Sequence, residues 1–217
     1  MRPRFHQRSD AGALLAEQLA GQAGRDDVIV LALPRGGVPV AFEVARRLKA
    51  PLDVLVVRKL GVPGHEELAM GAIAAGGIEY RDESVIASLQ VPPARVAEVV
   101  RRERAELARR EKAYRGDRPF PPLAGRTVIV VDDGIATGAT MRAAVRALQT
   151  RRPAAIIVAA PVASEAAIQA LAPDVTAVVT LLIPEAFFAI GQFYEDFGQT
   201  TDQEVTDLLA RAACDPT

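Results

Sequence analysis

The sequence predicts an open α/β domain, a mainly parallel twisted sheet with helices on both faces. Three observations carry this. Short β-branched runs recur at residues 28–33, 54–57, 128–131, 156–159 and 175–182, each almost continuously apolar, as strands buried on both faces must be. Segments with helical periodicity fall among them, at 14–20, 39–49, 139–150 and 164–171, so the order reads β-α-β with short connections. Half the residues are apolar but only 5% are aromatic, with no Trp, which predicts an aliphatic core between a sheet and its covering helices.

A chain of 217 residues fits one domain, and at that size roughly 70% of the unfolded surface can be buried. A single domain over 1–217 is expected, with its core at about 26–180. Lys and Arg total 26 against 27 Asp and Glu, so the positive excess that draws a protein to a nucleic-acid backbone is missing. The only cysteine, Cys214, excludes an internal disulfide framework and a Cys-rich zinc site, and predicts a reducing compartment. Met1, Arg2, Pro3 and Arg4 precede no apolar signal-peptide stretch, and no run approaches membrane-span length. A cytoplasmic protein with neither membrane nor nucleic acid as partner is expected.

Two regions depart from the alternation. Residues 61–80 contain Gly61, Gly64, Gly71, Gly76 and Gly77, which predicts a mobile loop leading into a short hairpin. Residues 95–114 read as a helix with a solvated charged face, pairing Glu98 with Arg102 and Glu106 with Arg110 at i,i+4 spacing. Pro119, Pro121 and Pro122 are expected to end it.

The most informative stretch is Val128-Ile129-Val130-Val131-Asp132-Asp133-Gly134-Ile135-Ala136-Thr137-Gly138-Ala139-Thr140-Met141. It places a buried strand, two adjacent carboxylates, a Gly/Thr-rich turn and a helix in that order. Ligands of open α/β sheets collect beyond the carboxyl ends of strands. Free backbone N–H groups at the helix start, with the hydroxyls of Thr137 and Thr140, suit a phosphate dianion. Carboxylates accept hydrogen bonds from vicinal hydroxyls, so Asp132 and Asp133 suit a ribose whose 5′-phosphate lies in the turn. Helix and turn capping explains any one of these features but not the ordered set. The turn lacks the Lys of a P-loop, and the chain has no G-x-G for a dinucleotide fingerprint.

This segment resembles the phosphoribosyl pyrophosphate (PRPP) motif of the type I phosphoribosyltransferases. The resemblance implies that family's fold, with a small hood formed by about 181–200 and with the N-terminal segment as a further contributor. It implies that Asp132 and Asp133 are the catalytic acids that hold the ribose hydroxyls, and that Gly134, Ile135, Ala136, Thr137, Gly138, Ala139 and Thr140 bind the 5-phosphate. Leu33-Pro34-Arg35-Gly36-Gly37 looks like the family's pyrophosphate loop, with Arg35, Gly36 and Gly37 as contacts and a cis peptide expected between Arg35 and Gly36. Arg58 and Lys59, in Arg58-Lys59-Leu60-Gly61, are expected at the end of the second strand, on the same pyrophosphate. Residues 61–67 would then be a loop that closes over PRPP. Four of the seven phenylalanines fall at 187–197, where Phe187, Phe188 or Tyr194 would stack on the acceptor. Mg²⁺ held mainly by PRPP, rather than by a direct protein metal site, is implied as cofactor. A homodimer is compatible with the resemblance.

Ala136 departs from members that use 6-oxopurines, which carry Asp there, and disfavours hypoxanthine and guanine. The LPRGG, RKLG and VDDGIATGATM set looks most like the predicted bacterial phosphoribosyltransferases of unsettled acceptor. The implied reaction belongs to nucleotide metabolism: transfer of ribose 5-phosphate to a nitrogen of a nucleobase-like heterocycle, with release of pyrophosphate. A PRPP-sensing protein without turnover is the alternative. A phosphohydrolase with Asp132 as nucleophile is disfavoured because its usual D-x-D is missing.

Overall fold

The structure, a computed structural model, describes residues 4–214 apart from the side chain of Glu67; Met1, Arg2 and Pro3 lie outside the described residues. Along the chain, α1 (Arg8–Gln18) leads to β1 (Val28–Ala32), α2 (Gly37–Leu48) and β2 (Leu52–Val54). Next come β3 (Val57–Val62), β4 (His65–Ala74), β5 (Ile78–Arg81), the short α3 (Glu83–Ser88) and the long α4 (Pro93–Arg115). Then follow β6 (Thr127–Val131), α5 (Ala139–Gln149), β7 (Ala155–Val162), α6 (Glu165–Leu171), β8 (Ala177–Leu182) and α7 (Asp202–Cys214).

Strands β2, β1, β6, β7 and β8 lie side by side in that order, every neighbouring pair parallel, so the fold is the expected open α/β sheet. The chain moves from β1 outward to β2 on one side and from β6 outward to β7 on the other. The order therefore reverses between β1 and β6, and their carboxyl ends flank the crevice where such sheets bind ligands. Ala32 pairs with Val131, so both strands release their loops at the same level.

The core explains why these runs are strands. Val28, Val30 and Ala32 of β1 join one apolar cluster, with α1, α2, α4 and α7, while Ile29 and Leu31 join the other, with α5 and α6. Period-two alternation with both faces covered requires an unbroken apolar run, and each fully buried Val, Leu or Ile contributes about 1.5–3 kcal/mol. Gly12 lets α1 and α2 cross closely, since a Cβ there would stand 2.5 Å from the Val40 carbonyl oxygen.

Three expectations are corrected. Residues 61–80 hold the expected hairpin, β4-β5, but the stretch leading into it is paired strand rather than loop, so that the whole is most of a three-stranded antiparallel sheet, β3-β4-β5, with the run at 54–57 split between β2 and β3. Glycines here make room rather than slack: a Cβ on Gly71 would overlap the Tyr80 carbonyl oxygen. Second, α4 is not simply solvated. Glu106 does pair with Arg110 at 2.7 Å, but Glu98 pairs with Arg95, and both Glu103 and Arg115 are buried. Arg115 lies 3.1 Å from Asp53 of β2, donates to the Pro119 carbonyl at 2.6 Å and covers the Phe120 ring. Third, α4 stops at Gly116, with φ 58°, before the prolines are reached. Helix α7 was not among the expected elements, although Thr201-x-x-Glu204 is a capping-box pattern and Thr201 Oγ1 accepts the Glu204 N–H at 3.1 Å. No helix among the described residues is long and apolar enough to cross a membrane.

Candidate functional site

The two loops that leave β1 and β6 meet. Leu33 donates its N–H to the Val131 carbonyl at 2.9 Å, which ties the start of the first loop to the last residue of β6. Gly36 then lies against Asp133 and Gly37 against Asp132. A Cβ on Gly36 would overlap Asp133 Oδ2 and stand 2.7 Å from its Cγ, and one on Gly37 would stand 2.9 Å from Asp132 Cα. Close approach, not positive φ, is what these glycines supply: Gly36 is right-handed at φ −59°, as the residue before α2. The non-proline cis bond falls between Pro34 and Arg35, one bond earlier than expected, and Arg35–Gly36 is trans.

The turn after β6 is held from outside. Ile135 pairs with Ala163 beyond β7, donating to the Val162 carbonyl and accepting from Ser164 N–H, both at 2.9 Å. Ser164 Oγ donates to the Ala136 carbonyl at 2.6 Å. Gly138 takes the left-handed conformation (φ 73°) that turns the chain into α5. Among the described residues, the N–H groups of Gly134, Ala136, Thr137 and Gly138 meet no protein acceptor, and Thr137, Ala139 and Thr140 are exposed. The result is an anchored cradle of free donors at a helix start.

The two acids have different surroundings. Asp132 keeps partial exposure and, among the described residues, accepts only the Asp133 N–H, at 2.9 Å to Oδ1. Asp133 is buried; its Oδ2 accepts from Arg8 Nε at 2.8 Å. Arg8 also donates to the Gly198 carbonyl at 2.7 Å and lies 3.9 Å over the Phe197 ring. Burial pushes the carboxyl of Asp132 well above the ordinary carboxylate range, and the neighbouring Asp133 charge adds to this. Burial pushes Asp133 up as well, with the Arg8 guanidinium pulling it back. Arg8 was not found from sequence, because nothing in local pattern links it to a residue 125 positions away.

The remaining expected residues are dispersed. Neighbours on a strand point to opposite faces, so Arg58 and Lys59 of β3 part company. Arg58 turns to α4 and bonds Glu103, at 2.6 Å from Nη2, while Lys59 faces α5. Burial raises the Glu103 carboxyl, but its bonds to Arg58 and Arg102 outweigh this and hold it low. Arg35 stands 3.6 Å from Asp202 at the start of α7, and Asp202 accepts the Tyr114 hydroxyl at 2.6 Å. Tyr194 is buried, its hydroxyl donating to the Asp133 carbonyl at 2.7 Å and its ring stacked on Phe197. Phe187 packs on Phe193, and Phe188 is 83% exposed. Phe5 pairs with Tyr194, which lays the N-terminal segment beside the 187–197 stretch.

A sheet of this order, with a glycine loop pressed on an acid pair and a turn of free donors beyond it, defines an open α/β protein whose polar groups converge at the carboxyl ends of β1 and β6. The chain belongs to the phosphoribosyl transferase domain family, which matches residues 4–197. It is 46% identical over 208 residues to "Putative phosphoribosyl transferase Rv0571c" of Mycobacterium tuberculosis, a match covering 96% of this chain and 47% of that protein. The chain thus spans about half the length of the curated relatives it matches. Among solved structures it resembles TT1426 from Thermus thermophilus, with 43% identity, a TM-score of 0.87, and coverage of 96% of this chain and 98% of that one.

Proposed function

We propose that this chain binds PRPP in the crevice between β1 and β6 and transfers its ribose 5-phosphate to a nitrogen of a nucleobase-like heterocycle, releasing pyrophosphate. The contact of Gly36 and Gly37 with Asp133 and Asp132 carries this reading, because it sets a backbone anion loop and a hydroxyl-binding acid pair side by side. The 5-phosphate takes the free N–H groups of Gly134, Ala136, Thr137 and Gly138 with the hydroxyls of Thr137 and Thr140, and the pyrophosphate takes the loop of Arg35, Gly36 and Gly37. Asp132 is the more accessible acid for the ribose hydroxyls, and Asp133 supports it from below through the Arg8 pair.

Catalysis in this arrangement is positioning and electrostatics. Asp132 and Asp133 place negative charge beside the ribose carbon as it becomes positive, and Arg35 faces the leaving pyrophosphate. The Oδ2 of Asp132, with no protein partner among the described residues, is a hard oxygen donor that fits Mg²⁺ or its waters. When bound with pyrophosphate, Mg²⁺ supplies neutralisation of leaving-group charge. Arg58 is engaged by Glu103 and Lys59 faces another cavity, so the proposed pyrophosphate contacts narrow to the loop after β1.

The test is calorimetric titration of PRPP with Mg²⁺ into the wild-type chain and into Asp132→Asn/Asp133→Asn, followed by a pyrophosphate-release screen across heterocyclic acceptors. Saturable binding lost in the double variant, with release for one acceptor class, is expected. Binding without release for any acceptor would favour a PRPP sensor, and no binding by the folded wild type would remove the reading.

A further inference from the structure

Helix α5 leads away from the phosphate cradle, and one of its faces is not filled by protein. Ala139, Arg142, Ala143 and Arg146 recur at helical spacing along one stripe and look onto the β3-β4-β5 sheet. Between them lies a cavity of about 330 Å³. Its apolar surfaces are the small Ala139 and Ala143 on the helix and Ala69, Gly71 and Ala72 on β4. Leu68, 46% exposed, stands at its edge. A helix packed on a sheet through such short side chains ordinarily closes down on it.

The charges around the opening are unbalanced. Arg146 is held by Asp174 at 3.0 Å and reaches the Tyr80 hydroxyl at 3.4 Å. Asp82 caps α3, accepting from Ser84 Oγ at 2.6 Å and Val85 N–H at 3.1 Å, and is the single carboxylate in the lining against the cations Lys59, Arg142 and Arg146. Lys59 from β3 and Arg142 from α5 line the same cavity, and neither side chain has a hydrogen bond or ion pair among the described residues. Two unpartnered cations over a small-residue floor, beside the Tyr80 ring, match an anion that carries a compact apolar body. A bare inorganic anion would leave the Ala and Leu surface uncovered, and a neutral apolar ligand would leave both cations unmatched.

We propose that this cavity is a second ligand site, separate from the crevice between β1 and β6, which takes an aromatic organic anion through Lys59 and Arg142. The two sites share Ala139, the first residue of α5, which belongs to the phosphate cradle on one side and to the cavity floor on the other. The proposal does not depend on the transferase reading, since it uses none of the acids or glycines of the crevice.

The probe is 8-anilinonaphthalene-1-sulfonate, an aromatic monoanion that fluoresces when it leaves water. It is titrated into the wild-type chain, into Arg142→Glu, and into Arg101→Glu, which makes the same charge change on an exposed position of α4. Circular dichroism and thermal melting of each variant establish that it is folded. Saturable one-site enhancement is expected in the wild type and Arg101→Glu, with affinity weakened about tenfold or more in Arg142→Glu, equivalent to ~1.4 kcal/mol. Saturating PRPP is expected to leave the signal in place. Absence of saturable enhancement in the wild type, an unchanged titration in folded Arg142→Glu, or displacement by PRPP would each overturn the proposal. Failure of the PRPP titration alone would leave this site standing and remove only the transferase reading.

Discussion

Arg8 Nε lies 2.8 Å from Asp133 Oδ2, and both side chains are about one-tenth exposed, at 12% and 10%. The N-terminal helix thereby reaches the acid pair at the far end of β6. Phe197 covers the guanidinium and Gly198 takes another of its N–H groups, so the cation is held; among the described residues Arg8 is the one ion-pair partner of Asp133.

Removing that cation leaves a buried carboxylate uncompensated. Arg8→Met is expected to lower stability by about 3 kcal/mol at neutral pH, read by urea unfolding. Asp133 already sits above the ordinary carboxylate range in the fold, and loss of Arg8 raises it further. A raised acid destabilises the fold once the unfolded chain ionises and stops doing so when both states are protonated. The gap between Arg8→Met and wild type should therefore narrow as pH falls through the carboxylate range. Arg8→Met/Asp133→Asn should recover part of the loss, and an equal deficit at every pH would contradict this account.

Asp132 carries the reverse expectation. Burial and the Asp133 charge raise its carboxyl, so its ionised form weakens the fold at neutral pH. Asp132→Asn keeps the oxygen that accepts the Asp133 N–H and removes the charge. Its melting temperature should rise, by a gain on the order of 1 kcal/mol, while PRPP affinity falls. The gain should fade as pH drops to the range where an ordinary Asp is protonated. A variant both less stable and unchanged in PRPP affinity would argue against a role for Asp132 in binding.

Gly36→Ala tests the contact between the loops directly. The added methyl has no room beside Asp133, whose carboxylate is backed by Arg8 and cannot swing away freely. The loop must move instead, with an expected loss of about 1–3 kcal/mol in stability and a tenfold or greater loss in PRPP affinity. Calorimetric affinity equal to wild type would show that the close approach is incidental.

Arg115 joins α4 to β2 through Asp53, at 3.1 Å, with 3% of its side chain exposed. Arg115→Met removes the cation from a carboxyl that burial already raises, and also removes the donor to Pro119. A loss of about 3–5 kcal/mol is expected in chemical denaturation. Arg101→Glu, on the exposed face of the same helix, should change stability by no more than about 0.5 kcal/mol.

Local pattern was enough for much of the architecture. The runs at β1, β6 and β7 were readable because a strand buried on both faces must be apolar at nearly every position, and that signal needs no partner to be seen; β8, a half-covered edge strand, was readable from its β-branched run alone. The turn from Asp132 to Thr140 was readable because its donors and acids follow one another in sequence, as did the glycines of the loop after β1. Composition shows the β4-β5 hairpin but reads the stretch before it as a loop, because glycines that serve close packing between strands look the same in sequence as glycines that give flexibility.

Only the tertiary structure decided which partner each charge has. Arg58 and Lys59 are adjacent in sequence, yet one meets Glu103 on α4 and the other opens onto the α5 cavity, since strand neighbours face opposite ways. Glu103 and Arg115 look like surface charges on an Arg/Glu-rich helix until β2 and β3 pack on it. Arg8 acquires its place beside Asp133 through chain crossing, over a separation on which periodicity carries no information. Hydrophobic pattern is local and survives in sequence; charge pairing across a fold depends on where distant elements arrive, and is settled only when they pack.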